Sequence, residues 1–300
     1  MIDTLGILLP IIALILLGHV LRRSGVFGTD VWTGIERLVY FLLFPALLFG
    51  TLASRPIELA AGGQMILVGI AFMVGGMLMG LIAHPLLSPS RKAFASIFQC
   101  GFRFNTYIGF ALLGGIHGAD GIAAFALLAG FVIPLANVAS VWALARHGQQ
   151  SMLRELIRNP FILATFGGLG WSALGLPLPE TALATLTFLG EPALPLGLLA
   201  TGAGLALVLN GRQNLLSAYF IFTKLIAVPM LALGLALVAG LDAEYLAAAV
   251  ILAALPPASS AYILTTRMGG DGPLVAATVG ASTILAAVTL PIWIHVLGGL

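Results

Sequence analysis

The residues best suited to chemistry in this 300-residue chain interrupt stretches that would otherwise be lipid-compatible. In FQCGFRFNTYIGFALLGG, Gln99, Arg103, Asn105, Thr106 and Tyr107 bring polar groups into an apolar segment, bracketed by Gly101 and Gly109. In LAALPPASSAYILTT, Pro256 and Pro257 are adjacent, with Ser259 and Ser260 just beyond. Neither proline has an N–H, so a helix running into them leaves the carbonyls of Leu252 and Ala253 without helical partners. Serine is a good N-cap, and a second half-helix is predicted to start at the serine pair. Its free N–H groups and partial positive charge would suit an anion. Arg103 suits the same ligand. A charge at depth must face an interior or a cavity, and a planar guanidinium matches a carboxylate. The plainer readings are a kink without function and a structural arginine. Two adjacent prolines followed by two serines weigh against the first.

Three further residues leave alternatives open. Asn137, three residues after Pro134, is either a ligand or a helix-packing amide. Glu191, flanked by Pro192, is either the carrier of a coupling proton or a structural acid. Lys224 either balances charge or extends to the interface along its aliphatic stem. The candidate binding set is therefore Arg103, Asn105, Tyr107, Asn137, Pro256, Pro257, Ser259 and Ser260, with Glu191 and Lys224 for coupling or charge balance. There is no HExxH, no GxSxG and no glycine-rich phosphate loop, and no histidine is expected mid-span. Cys100 stands alone, which excludes a disulfide framework or a cysteine-based metal site. The chemistry expected is binding without bond-making: no enzyme, no cofactor, no metal and no nucleic-acid partner. A receptor or scaffold is the reading from another class, but it would not need two interrupted spans facing each other.

The elements that position these residues must lie in a bilayer. The chain is 60% hydrophobic and 8% charged, against about a quarter charged in soluble domains, and its mean hydropathy is +1.11. Segments of about 20 apolar residues predict ten spans, at 5–21, 36–54, 62–86, 93–116, 120–145, 159–176, 181–209, 216–239, 245–268 and 274–298. Threading these puts Arg22, Arg23, Arg37, Arg91, Lys92, Arg146, Arg154, Arg158, Arg212 and Arg267 on one side and only Arg55 on the other. That asymmetry makes the first side cytoplasmic, with both termini outside and the 146–158 loop inside. The opening MIDT lacks the basic residues of a cleavable signal peptide.

The halves echo each other. FLLFPALLFGTLA around Pro45 parallels TFLGEPALPLGLLATGAG around Pro192. TYIGFALLGGIHGADG parallels AYILTTRMGGDG, with a tyrosine, glycines and Asp-Gly in order. Residues 1–145 form one five-helix repeat, 146–158 a short cytoplasmic loop, and 159–300 the second repeat. An odd number of spans per half inverts the second relative to the first, as in many secondary transporters.

The run PPASSAYILTTRMGGDGPLVAATVGASTILAAVTLPIWI resembles the C-terminal signature of the auxin efflux carrier (AEC) family, which includes bacterial organic-acid carriers and the plant PIN auxin carriers. RFNTYIGFALL and KLIAVPMLAL are similar to that family too. The resemblance implies an all-α membrane protein of ten helices in two inverted repeats, with crossing broken helices in spans 4 and 9. This is the architecture of sodium/proton antiporters and bile-acid symporters. It implies a scaffold from spans 1, 2, 6 and 7, a mobile transport domain from spans 3–5 and 8–10, elevator-like movement and a homodimer. The implied partners are a small organic anion, such as a mono- or dicarboxylate, and the lipid of the cell (inner) membrane. Bile-acid symporters place acidic ligands for sodium on the crossing helices. Spans 4 and 9 have no carboxylate here, so proton coupling or uniport is expected, with sodium coupling as the alternative.

Orientation is testable. Single cysteines in the 146–158 loop, in a Cys100→Ala background, should react with an impermeant maleimide only after the cytoplasm is opened; labelling of intact cells would reverse the topology.

Overall fold

The computed structural model describes residues 4–54, 59–145, 160–205, 213–258 and 260–299, which form helices joined by short connections. In chain order these are α1 (Thr4–Ser24), α2 (Thr29–Leu38), α3 (Phe44–Ala53), α4 (Leu59–Leu87), α5 (Arg91–Ile97), α6 (Thr106–Ala145), α7 (Pro160–Ala173), α8 (Glu180–Gly190), α9 (Ala193–Ala203), α10 (Gln213–Phe222), α11 (Val228–Val238), α12 (Ala243–Ala254), α13 (Ser260–Arg267) and α14 (Gly272–Gly298). Among the described residues, six stretches are long and apolar enough to cross a membrane: Thr29–Ala53, Gly62–Leu87, Arg91–Leu144, Glu180–Ala203, Asn214–Val238 and Gly272–Gly298.

The longest of these is not one rod. Gly118 takes φ 59° and ψ −139° inside α6, a conformation open to glycine and strained for other residues. The rings of Phe110 and Phe125 lie 4.7 Å apart, whereas a continuous helix would separate them by about 22 Å. The chain therefore reverses at Gly118. A second positive-φ glycine, Gly269, lies between α13 and α14. Each glycine stands two residues before an Asp-Gly pair, Asp120-Gly121 and Asp271-Gly272. Asp271 caps α14 by accepting from the Leu274 N–H at 3.2 Å.

Backbone approach through glycine sets the tightest helix pairs. A Cβ on Gly18 of α1 would lie 2.0 Å from the Leu199 carbonyl oxygen, and one on Gly202 of α9 would lie 1.8 Å from that of Ile15. On the other pair, a Cβ on Gly168 of α7 would meet Leu52 Cβ at 2.9 Å and the Phe49 oxygen at 3.1 Å on α3.

Both predicted interruptions are present. The helix from Arg91 tightens into a 3₁₀ turn over Phe98–Gly101, and the chain is non-helical until Thr106. In the other, α12 ends at Ala254, Leu255 is extended at φ −62° and ψ 141°, and α13 begins at Ser260. Ser259 lies outside the described residues, as does the 146–158 loop. Boundaries differ in two places: the second apolar stretch starts at Thr29 rather than residue 36, because α2 runs through a single π turn (Val39–Leu43) into α3, and the helix of the seventh predicted span ends at Ala203 rather than residue 209. Glu36 is thereby inside the helix instead of at its mouth.

The carbonyls that the prolines release are satisfied by side chains. Lys224 is 1% exposed and donates from Nζ to the Ala253 oxygen at 2.5 Å and the Leu252 oxygen at 3.4 Å. It sits in a π turn, Thr223–Ala227, which runs into Pro229. The Leu225 carbonyl, four residues before Pro229, accepts from Trp293 Nε1 at 2.9 Å. Lys224 therefore does not extend to the interface. Its charge also opposes the negative end of α12. Lys224→Met should lower unfolding stability in detergent by about 1–3 kcal/mol, the cost of buried acceptors left empty. Restoring the N–H groups with Pro256→Ala and Pro257→Ala should shrink that cost. An equal cost in both backgrounds would show that the lysine matters for another reason.

Candidate functional site

The two interruptions meet. The Asn105 N–H donates to the Pro256 carbonyl at 2.8 Å, joining one broken backbone to the other. Asn105 is 2% exposed, and its side chain caps α6: Oδ1 accepts from the N–H groups of Tyr107 at 3.0 Å and Ile108 at 3.4 Å. Asparagine is a preferred residue for that position. Its Nδ2 donates to Thr201 Oγ1 on α9 at 3.2 Å. On the other side of the break, Gln99 Nε2 donates to the Ser96 carbonyl at 3.1 Å and to Thr265 Oγ1 at 2.8 Å. Ser96 Oγ accepts from the Asp271 N–H at 2.7 Å. These bonds tie α5 and its 3₁₀ turn to α13 and the turn after it.

Arg103 emerges from the unwound stretch. It is half-buried and donates from an Nη to Ser260 Oγ at 3.1 Å, while Ser260 itself is exposed. The guanidinium thus lies beside the first residue of α13, a positive helix end. The two kinds of helix end at the crossing are treated differently: the negative end of α12 has the Lys224 ammonium, and the positive end of α13 has a further cation beside it. Such an arrangement concentrates positive potential where an anion would be welcome.

Tyr107 forms an aromatic wall next to this place. Its ring lies 4.9 Å from Phe44, which in turn lies 5.3 Å from Phe110. It packs on Gly197 of α9, where a Cβ would lie 2.7 Å from the tyrosine Cγ and Cδ1.

The crossing thus gathers Arg103, Asn105, Tyr107, Pro256, Pro257 and Ser260, with Lys224 behind them. Of the other three candidates, Ser259 lies outside the described residues, and the crossing does not gather Asn137 or Glu191. Asn137 is half-buried further along α6, after Pro134, and takes part in none of these bonds. Glu191 is exposed at the kink between α8 and α9. A pairing of Glu191 with Lys224 is ruled out by the lysine's burial on the α12 carbonyls.

Sequence reasoning missed three residues. Thr201 was legible only as part of the Gly197-x-x-x-Thr201 pattern of small residues on one helix face. Thr265 carried no signal, because its role depends on Gln99, which is distant in the chain. Glu36, the first residue of the second predicted span, was not singled out, although it is half-buried and within electrostatic reach of Tyr107.

Charged and hydrogen-bonding groups meet at the crossing, and among the described residues no activated nucleophile stands there. A family described as "Membrane transport protein" matches residues 4–144 and 143–294. An "Uncharacterized transporter" of Methanothermobacter thermautotrophicus is 26% identical over 299 residues, covering 96% of this chain and 97% of that protein. A "Putative malonate transporter" of Rhizobium meliloti (strain 1021) is 26% identical over 322 residues, covering 97% and 94%. The "Uncharacterized transporter YfdV" of Escherichia coli (strain K12) is 26% identical over 307 residues, covering 97% of both. With the family matching nearly its whole length, the chain is a multi-pass membrane protein and belongs to the membrane transport protein family, that of the auxin efflux carriers.

Proposed function

We propose that this chain carries small organic anions, mono- or dicarboxylates, across the cell membrane and binds them at the crossing of the two interrupted spans. The observation that carries this reading is Arg103 on Ser260, a guanidinium set beside the start of a half-helix. Like charges are placed together there, and an anion between them would relieve the repulsion. One relative bears the name of a malonate carrier, and malonate is a small dicarboxylate of the kind this charge would hold.

The transport cycle follows from the same geometry. Ten spans in two inverted repeats account for the reversal at Gly118 and for the paired turns at Gly118 and Gly269. They also account for the close pairs α1 with α9 and α3 with α7, since exchanging the halves turns one pair into the other. We take spans 1, 2, 6 and 7 as the static scaffold and the rest, including the crossing, as the unit that moves in an elevator-like step. Among the described residues the two interrupted stretches themselves carry no carboxylate, so we take a proton gradient or simple downhill flow, rather than sodium, to drive the carrier.

Uptake of radiolabelled malonate, succinate and acetate into proteoliposomes, under imposed proton or sodium gradients, tests the substrate class and the coupling. Arg103→Gln should lower affinity for the transported acid by about ten- to a hundredfold, the loss of one charge-assisted contact. Arg103→Lys keeps the charge without the fork and should fall between. If Arg103 only supports the fold, Arg103→Gln would lower thermal stability and leave the affinity of the folded protein for the acid unchanged, and the anion reading would fail. Pro256→Ala with Pro257→Ala should insert normally and yet abolish uptake, because a continuous helix withdraws the exposed backbone groups.

A further inference from the structure

We propose that Thr201 is a positioning residue: the hydrogen bond it accepts from Asn105 docks the crossing against α9 and must break for the crossing to move past that helix. This rests on the elevator reading of the fold and adds to it the contact that sets the balance between its two ends. The other hydrogen bonds described for Asn105, to the Pro256 carbonyl and to the N–H groups of Tyr107 and Ile108, stay within the unit assigned as mobile. Only Nδ2 reaches across to the scaffold.

The geometry of the acceptor is specific. Thr201 is 3% exposed, and its hydroxyl proton is committed to the Gly197 carbonyl at 2.9 Å. The oxygen is thereby turned to accept from Asn105. The same helical turn fits the Tyr107 ring through the missing side chain of Gly197. One face of α9 thus reads two residues of the broken span, an amide by a hydroxyl and a ring by a gap. A neutral hydrogen bond shifts an equilibrium by about two- to tenfold, which is small enough to release in each cycle. A buried amide left without its acceptor shifts it further the other way.

The test measures position directly and requires no ligand. Spin labels at Thr181→Cys, on α8, and Ala243→Cys, on α12, report the separation of scaffold and crossing in a Cys100→Ala background in nanodiscs. Wild type should give two distance populations. Thr201→Val preserves shape but not the acceptor, and should reduce the population matching this structure by about tenfold. Thr201→Ser keeps the acceptor and should restore the wild-type ratio. Gly197→Ala leaves the bond in place but crowds the ring, and should shift the ratio in the same direction as Thr201→Val. Two populations whose ratio is unchanged by Thr201→Val would overturn the docking role and leave the elevator reading intact. A single, unvarying distance in wild type and every variant would overturn both.

Discussion

A backbone carbonyl within hydrocarbon has no water to turn to, and the adjacent prolines at 256 and 257 create two such carbonyls deep in the protein. The Lys224 ammonium answers both at once. A lysine is costly at that depth by itself, and so is a helix end that lacks donors. Together each removes the other's penalty. The open backbone around Leu255 to Ala258 depends on this bond, and so does the placing of Pro256, whose carbonyl receives Asn105. The second interruption is thus held in place through the first.

The opposite helix ends follow a different logic. Asn105 caps α6 with a neutral amide, and α13 begins beside the exposed Ser260 and the Arg103 guanidinium. An acid at that place would have silenced the positive end, as Lys224 silences the negative one. Evolution of a purely structural crossing would favour such an acid, since opposite charge at a helix end is stabilising. A cation there instead adds to the positive potential of the helix end, and an anion is drawn to such a place.

Much of this crossing could be read from sequence, because its signals are local. Pro256-Pro257 forbids a helix wherever it falls, and Gly101, Asn105 and Gly109 weaken one within a few residues of each other. Both breaks follow from those residues, and their crossing was what the family resemblance implied. The partners were harder to read because they involve groups without a sequence signature. Lys224 bonds to main-chain oxygens, which every residue carries, and so its role was ambiguous between balance and the interface. Asn105 was expected among the ligands for its place in the broken span, and the hydrogen bonds it makes in the structure go to the backbone and to Thr201, a partner distant in the chain. The side on which Glu191 lies was not legible for a related reason. Hydropathy reports depth along a helix and is blind to which side of it faces out, and Glu191 faces out.

The close approach of Gly18 to Leu199 and of Gly202 to Ile15 bears on how the protein is made. These glycines are about 180 residues apart in the chain. At ribosomal rates of roughly 5–20 residues per second, α1 waits on the order of 10–40 s before α9 has been synthesised. Throughout that time its glycine face can meet only lipid or other early helices. The first half is therefore an unfinished surface during biosynthesis, and a methyl group at Gly18 would act on assembly as well as on the finished fold.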